Sequence, residues 1–415
     1  MSKRNSIIAI LLMTLLIIGG LLYFYFHLSN NSFQPANTSV TGTITNPFGT
    51  NTASGTNTDI TNTSSSTQNT AIKNTAQLIE IYKNPVSGSV FFTNKNNQDD
   101  VRFIDRGNGN VYEYLPTSQT GQATRLTNTT IPKVQEAIWS NNGSNVFLRY
   151  LDTVGNLASF AATVNVNAGT STDGSLGNIS GAFITSNIQE LVTNPKGNQI
   201  FALLQNNVGS YGFTGLLDGS SKKQIFNSPI SLWNISWPST NTITFTTKPT
   251  YANYGFLYFF NTQTQSMDRI LGDIPGLSTV TNNGANLVAY SESQNNSFNL
   301  DIYDVKNKTN EGYKITTLAD KCIWGNTDNT VLYCAVPQII PLDTYPDAWY
   351  QGTESFSDSI WMINTTTGTT NLLYQIGLKE NVSIDAMNLQ LSPDDKYLVF
   401  QNKNDLSLWL LTINQ

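Results

Sequence analysis

The chain has 415 residues, of which 39% are hydrophobic, 11% aromatic and only 12% charged. That mixture supports a folded core and excludes a largely disordered protein. The formal net charge is −6 and the isoelectric point is near 4.8. A protein of this charge lacks the basic surface that binds phosphate backbones, so nucleic acid is not a predicted partner.

The single histidine excludes several kinds of active site. It is His27, at the end of an apolar N-terminal segment, so the rest of the chain contains none. Ser-His-Asp and Cys-His nucleophiles, histidine-ligated zinc and histidine general bases are therefore all excluded. Carboxylate catalysis and calcium binding by oxygen ligands do not require histidine and therefore stay possible. We nevertheless predict a non-enzymatic protein without a cofactor, because no catalytic constellation is recognisable.

The N-terminal segment predicts a membrane anchor. No charged residue occurs from Ile7 to Phe26, and a helix of about twenty residues is about 30 Å long, which matches the hydrocarbon core of a bilayer. Lys3 and Arg4 precede this run, so the positive-inside rule leaves the N-terminus in the cytoplasm and exports the remainder. We therefore predict a short cytoplasmic tail at 1–6 and a transmembrane signal-anchor helix at 7–28.

A cleaved signal peptide is the alternative to the anchor. Its apolar region is usually shorter and ends at small residues, whereas this run ends in Tyr, Phe and His. Residues 29–75 are then dominated by Thr, Asn, Ser and Gly. Such a segment cannot bury enough apolar surface to offset its ordering entropy. It predicts a flexible linker that holds a globular head away from the membrane.

Residues 76–415 read as one all-β domain with an internal repeat. Short strands rich in Val, Ile, Phe, Tyr and Thr alternate with turns of Asn, Gly, Asp and Pro. The repeating unit is an apolar or Trp position, a polar turn, and a second strand. Its instances are NPVSGSVFFTN from Asn84, WSNNGSNVFLRY from Trp139, TNPKGNQIFALL from Thr193, WPSTNTITFTT from Trp237, VTNNGANLVAY from Val280, WGNTDNTVLYC from Trp324 and LSPDDKYLVFQ from Leu391.

The spacing of these units predicts the architecture. Their starts lie mostly 43–54 residues apart, which is the length of a four-stranded propeller blade. We therefore predict a β-propeller of about seven four-stranded antiparallel blades. The last unit stops after its third strand, LSLWLLTINQ, whereas the segment LIEIYK at 78–83 precedes the first unit. We expect that segment to supply the missing strand and close the ring.

The repeat also resembles a known kind of propeller. LSPDDKYLVFQ followed by LSLWLLTI, and WSNNGSNVFLRY, are similar to the WD-like repeat of TolB-type bacterial propellers. The resemblance covers most of residues 85–415 and implies the fold and a cell-envelope setting. It implies no binding site, because propellers of this kind serve unrelated functions.

Two cysteines flank one predicted hairpin. In KCIWGNTDNTVLYCAV the midpoint between Cys322 and Cys334 is the centre of the turn, so the two would lie opposite each other on antiparallel strands, within disulfide distance. An exported compartment permits oxidation. We predict a structural disulfide, with two buried free thiols as the alternative.

The sixth repeat is longer than the others, and its excess length is the candidate site. The segment PQIIPLDTYPDAWYQGTESFSDS at 337–359 combines aromatic and acidic residues between the second and third strands. Aromatics among carboxylates suit stacking on sugar rings or anchoring a peptide. The alternative is a loop that folds back and plugs the channel. The candidate binding residues are Tyr345, Asp347, Trp349, Tyr350, Glu354 and Phe356.

These features predict a binding or scaffold module of a cell envelope, attached to the membrane and facing away from the cytoplasm. Its predicted partners are the membrane, through the anchor, and an envelope protein or glycan. One alternative is an extracellular carbohydrate-active enzyme that uses loop carboxylates. Another is a purely structural surface protein.

Overall fold

The computed structural model describes residues 77–413, except 119–120, 154, 156, 167–175, 186 and 378–381. The predicted tail, anchor helix and linker lie outside these described residues. Within them, no helix is long and apolar enough to cross a membrane.

The described part of the chain forms seven sheets of four antiparallel strands, which we call blades. One strand, β1 (Leu78–Tyr82), precedes the first complete blade. Blade 1 contains β2 (Val86–Thr93), β3 (Asp99–Asp105), β4 (Val111–Tyr114) and β5 (Thr124–Arg125). Blade 2 contains β6 (Val134–Trp139), β7 (Asn145–Leu151), β8 (Leu157–Asn165) and β9 (Asn178–Phe183). Blade 3 contains β10 (Ile188–Thr193), β11 (Gln199–Asn206), β12 (Gly209–Leu216) and β13 (Lys223–Ser228).

The remaining blades follow in chain order. Blade 4 contains β14 (Trp233–Ser239), β15 (Thr242–Thr247), β16 (Tyr254–Asn261) and β17 (Met267–Pro275). Blade 5 contains β18 (Ser278–Thr281), β19 (Leu287–Gln294), β20 (Ser297–Asp304) and β21 (Thr309–Gly312). Blade 6 contains β22 (Cys322–Trp324), β23 (Val331–Pro337), β24 (Asp358–Asn364) and β25 (Thr369–Gln375). Blade 7 contains β26 (Ala386–Leu391), β27 (Tyr397–Asn402), β28 (Leu408–Thr412) and, at its outer edge, β1.

The seven blades form a closed propeller, which confirms the fold predicted from the repeat. The first strands of most successive blades contact each other, those of blades 7 and 1 among them, so these strands surround the central axis. β1 pairs antiparallel with β28, with Leu78 opposite Leu411. The chain therefore closes the ring with its N-terminal strand, as the sequence predicts.

Blades pack through the alternating apolar faces of their strands. One buried cluster joins Val86 and Phe103 of blade 1 to Val399, Leu408 and Leu410 of blade 7. Side chains of a strand point alternately to its two faces, so each blade can pack apolar residues against both neighbours. The core is consequently a series of inter-blade layers.

Blade 1 differs from the prediction. The sequence NPVSGSVFFTN suggests a turn followed by a second strand, but Val86–Thr93 is one continuous first strand. Gly88 lies where β2 approaches β6 closely: a Cβ there would be 2.1 Å from the carbonyl oxygen of Ala137. The glycine thus serves inter-blade packing and not a turn, and the turn of this blade comes later, at residues 94–98.

The propeller has two faces, which we name by their loops. The turn face carries the turns between the first and second strands of the blades. The insertion face carries the connections between the second and third strands. The long connection of blade 6, at 338–357, lies on the insertion face and contains a short helix, α1 (Asp347–Gln351), that ends at Gly352 with a φ of +75°.

Candidate functional site

The long connection of blade 6 folds back onto the propeller. Tyr345, Trp349 and Phe356 are only 1%, 5% and 2% exposed, and they pack in one cluster with Phe298 and Leu318. These three rings are therefore buried, as in the alternative of a loop that folds back onto the propeller, and they do not form an exposed surface. Packing these rings against the propeller removes apolar aromatic surface from water, and this burial stabilises the folded-back conformation of the connection.

Polar contacts hold this connection to several blades. Asp347 accepts hydrogen bonds from Thr250 Oγ1 and from the backbone N–H of Tyr251, both at 2.7 Å, in blade 4. Ser293 of blade 5 donates its hydroxyl to the carbonyl oxygen of Tyr345. Asp347, a candidate binding residue, thus has a structural role.

The two other candidate residues are partly accessible. Tyr350 is 40% exposed, and its hydroxyl donates to Asp320 at 2.8 Å. Burial of that hydroxyl raises the pKa of Tyr350 well above its ordinary value, and the nearby Asp320 carboxylate adds to the effect. The Glu354 side chain is half-buried, and its backbone carbonyl accepts from Lys403 Nζ at 3.3 Å.

A buried ionic cluster lies beneath α1. Lys321, Asp358 and Asp385 are each 0% exposed. Lys321 Nζ is 2.9 Å from Asp358 Oδ2 and also donates to Asp385. The backbone N–H of Ala386 donates to Asp358 at 2.6 Å. Two carboxylates thus share one lysine, which leaves a buried negative charge unless one carboxylate holds a proton.

Burial shifts the protonation equilibrium of Asp358. Burial raises the pKa of this carboxyl to about 6, although the nearby Lys321 ammonium acts in the opposite direction. Its Oδ1 atom is buried and has no hydrogen-bond partner among the described residues. When this carboxyl is protonated, the proton belongs on Oδ1, because Oδ2 already accepts from Ala386 and Lys321. The cluster is enclosed by protein, so it offers no access to a substrate.

At the turn face the central channel opens into a cavity of about 740 Å³. It is lined by Ser89, Val90, Phe91, Phe92, Thr93, Ala137, Ile138, Trp139, Asn141, Ile323, Asn326, Gln390, Leu391 and Pro393. None of these side chains is charged. Sequence reasoning missed this site, because its residues come from blades 1, 2, 6 and 7 and are far apart in the chain.

Three amide side chains of the cavity are held by hydrogen bonds through their nitrogen atoms. Gln390 Nε2 donates to the carbonyl oxygen of Ser89 at 2.8 Å. Asn141 Nδ2 donates to Pro195 at 2.9 Å, and Asn326 Nδ2 to Ser392 at 3.0 Å. Among the described residues the three amide oxygens have no hydrogen-bond partner. The lining of the cavity therefore contains three amide oxygens that are available to accept from hydroxyl or N–H donors.

The described residues contain no group of three or more His, Cys, Asp or Glu side chains placed to hold a metal ion. The two cysteines are joined in a disulfide, with their Cα atoms 4.1 Å apart, and they are directly opposite each other in the β22–β23 pair. This bond lies in the first hairpin of blade 6. It has no contact with the open cavity of the channel.

The sequence matches no protein-family model and no curated protein. Solved structures nevertheless share the fold. An oligogalacturonate lyase from Vibrio parahaemolyticus has a TM-score of 0.51 at 10% identity, over 81% of this chain and 91% of that one. Puromycin hydrolase has a TM-score of 0.50 at 11% identity, over 77% of this chain and 52% of that one. TolB from Acinetobacter baumannii has a TM-score of 0.42 at 11% identity, over 64% and 59%. At these identities the similarity to the lyase and to puromycin hydrolase shows the propeller fold alone.

Proposed function

We propose that this chain is a non-enzymatic binding module of the cell envelope and that it recognises a neutral glycan at the turn-face cavity. The observation that supports this proposal is the set of three amide oxygens on Asn141, Asn326 and Gln390. Their orientation is fixed by hydrogen bonds from the amide nitrogens to backbone carbonyls. Preorganised acceptors of this kind suit a ligand rich in hydroxyl donors.

The composition of the cavity favours a neutral sugar. It has no charged lining residue, and its volume of about 740 Å³ falls within the range of about 300–1,000 Å³ that is typical of small-ligand sites. Phe91 and Phe92 add apolar surface beside the amides. A peptide also carries N–H donors, and peptide binding is the competing outcome of the test below.

The geometry does not favour an enzyme that uses loop carboxylates. Glycosidases need two carboxyl groups about 5–9.5 Å apart in an open cleft. Here Asp347 is bonded to blade 4, and Asp358 is enclosed in the ionic cluster. Although relatives of the fold include a lyase and a hydrolase, we propose binding without turnover.

Glycan binding can be tested with the purified full chain in detergent. We expect a panel of neutral oligosaccharides to include a ligand that is retained unchanged. Gln390→Ala should weaken that binding about tenfold, since one hydrogen bond to a desolvated ligand contributes about 1.5 kcal/mol. Asn307→Ala, an exposed amide in blade 5, is the matched control. Cleaved products would favour the enzyme, and binding of peptides alone would contradict the glycan proposal.

We also propose that an anchor at 7–28 and a linker at 29–75 hold the propeller, at 76–415, outside the cytoplasm. Lys3 and Arg4 before the uncharged segment support this orientation. Protease added to intact cells should then release an intact propeller by cutting within 29–75. Protection of the whole chain until the membrane is opened would contradict the proposal.

A further inference from the structure

Three tryptophans occupy corresponding places in the repeat, at or near the end of the first strand of blades 2, 4 and 6. Trp139 Nε1 donates to the carbonyl oxygen of Gly88 at 3.3 Å, and Trp324 Nε1 donates to that of Val280 at 3.0 Å. Each acceptor belongs to the first strand of the preceding blade. The third tryptophan, Trp237, is 7% exposed, and its indole N–H has no partner among the described residues.

A local irregularity accounts for this difference. The β14–β15 pairing shifts register between Ser236 and Ser239, the stretch that contains Trp237 and Pro238. Proline has no N–H to donate to a ladder and is found in sheets at edges and bulges. The bulge therefore falls at the tryptophan itself, where the other two blades make their bond to the neighbouring blade.

A cavity of about 410 Å³ lies at this point, between blades 3 and 4 on the turn face. Trp237 is part of its wall. The other lining residues are Asn194, Lys196, Asn198, Gln199, Thr214, Lys223, Ile225, Thr240, Asn241, Thr262 and Gln263. A buried donor without an acceptor is unfavourable. The nitrogen is itself enclosed by protein, so a ligand in this cavity would contact the tryptophan through its ring.

The charge of the lining is opposite to that of the whole protein. Lys196 and Lys223 are its charged residues, and it contains no Asp or Glu, although the chain has a net charge of −6. Both lysines are exposed. Neither forms an ion pair within the described part of the chain. Two unpaired ammonium groups beside polar amides and hydroxyls suit an anionic ligand.

We propose that this blade 3–4 cavity is a second binding site, distinct from the central cavity, for a ligand with a carboxylate or phosphate group. Lys196 and Lys223 bind the anionic oxygens, and the Trp237 ring forms part of the inner wall. The shared chemistry is an oxyanion on a polar body. An acidic sugar and a phosphorylated molecule are the two sources that supply it.

The seven tryptophans give a direct readout. The full chain in detergent micelles, labelled with ¹⁵N at tryptophan only, should show one indole N–H signal for each tryptophan. Trp237→Phe assigns the signal of interest. Glucuronate, inorganic phosphate and neutral glucose are then titrated separately. We expect glucuronate or phosphate to shift the Trp237 signal to saturation, and glucose to leave it unchanged.

Charge-neutral variants complete the test. The double variant Lys196→Gln/Lys223→Gln should lower the affinity for the anion at least about tenfold. Each hydrogen bond to a charged group contributes about that factor to the affinity. Lys306→Gln, an exposed lysine of blade 5 on the same face, should bind like the unaltered chain. The anion that saturates the shift of the Trp237 signal at the lower concentration indicates whether the ligand is an acidic sugar or a phosphorylated molecule. The absence of a shift with both anions, an equal shift with glucose, or unchanged binding by the double variant would overturn the proposal.

Discussion

The indole N–H of Trp349 donates to both carboxylate oxygens of Asp385, at 3.1 and 2.9 Å. This bond joins the long connection of blade 6 to the residue that immediately precedes the first strand of blade 7. The same carboxylate accepts from the backbone N–H of Phe356 at 3.0 Å, and Lys321 Nζ lies 5.1 Å from the Trp349 ring. Asp385 is thus the point at which the connection and the ionic cluster meet.

We expect Trp349→Ala to lower the free energy of unfolding by about 3–5 kcal/mol, because it removes a buried ring and leaves Asp385 with fewer donors. Tyr345→Ala should have a similar effect. Leu342→Ala is the control, since Leu342 is 83% exposed and should change stability by less than about 0.5 kcal/mol. Denaturant unfolding measures all three. Unchanged stability of Trp349→Ala, with loss of ligand binding, would instead mark the connection as a recognition loop.

The raised pKa of Asp358 predicts a pH dependence of stability. The native carboxyl titrates at about 6, whereas an unfolded aspartate titrates near 4. Between these values the native state binds more protons than the unfolded state, so the free energy of unfolding decreases as the pH rises. The decrease amounts to roughly 3 kcal/mol and is complete once the pH is above the native pKa. Below about pH 4 this contribution is fully present.

Asp358→Asn should remove this part of the pH dependence. The amide is neutral at every pH, and its oxygen can still accept from Ala386 and Lys321. We expect the difference in unfolding free energy between pH 4 and pH 7.5 to be smaller in the variant, by roughly 2.4 kcal/mol. Asp273→Asn, at a side chain that is 71% exposed, controls for the loss of one carboxylate. Equal pH profiles for Asp358→Asn and the unaltered chain would show that Asp358 does not titrate in this range.

The fold was predictable because its determinants are local. Strand alternation and turn residues mark each blade, and a repeat length near that of a blade specifies a propeller. The missing strand of blade 7 and the unpaired strand at 78–83 also predict the closure. The sequence predicts a turn in blade 1 because Gly88 is a residue type common in turns. Its actual role is to allow close packing against Ala137 of another blade, which the local sequence does not show.

The sites were less predictable because they depend on residues distant in the chain. Whether Trp349 faces solvent or core is decided by Asp385, which lies 36 positions away. The open cavity combines Gln390 with Ser89, which are separated by 301 positions. The sequence did contain one indication of this cavity. Asn141 and Asn326 each follow the tryptophan of a repeat by two residues, and both residues line the cavity at the turn face.

The Cys322–Cys334 pair predicts a measurable contribution to stability. Its sequence separation is 12, and closing so short a loop stabilises by roughly 3 kcal/mol in the chain-entropy model. We expect protein isolated from its own compartment to resist alkylation until it is reduced. Replacing both cysteines by serine should lower the unfolding free energy by up to that amount. Labelling of both thiols without reduction would contradict the bond.

Ring closure by β1 predicts that its apolar side chains stabilise the whole propeller. Ile81 is 5% exposed and packs with Phe103 of blade 1 and Val399 of blade 7. Ile81→Ala should therefore lower the free energy of unfolding by about 2–4 kcal/mol. Lys83→Ala, an exposed residue just after the same strand, is the matched control and should have almost no effect.

The two ends of β1 allow a sharper test of the same closure. A chain that begins at residue 77 keeps β1 and should unfold at the same denaturant concentration as the full chain. A chain that begins at residue 84 leaves the edge of β28 unpaired and uncovers the apolar layer between blades 7 and 1. We expect it to unfold at lower denaturant concentration and to aggregate, because exposed strand edges pair with other chains. Equal stability of the two chains would show that the propeller closes without its N-terminal strand, and that the pairing of β1 with β28 contributes little.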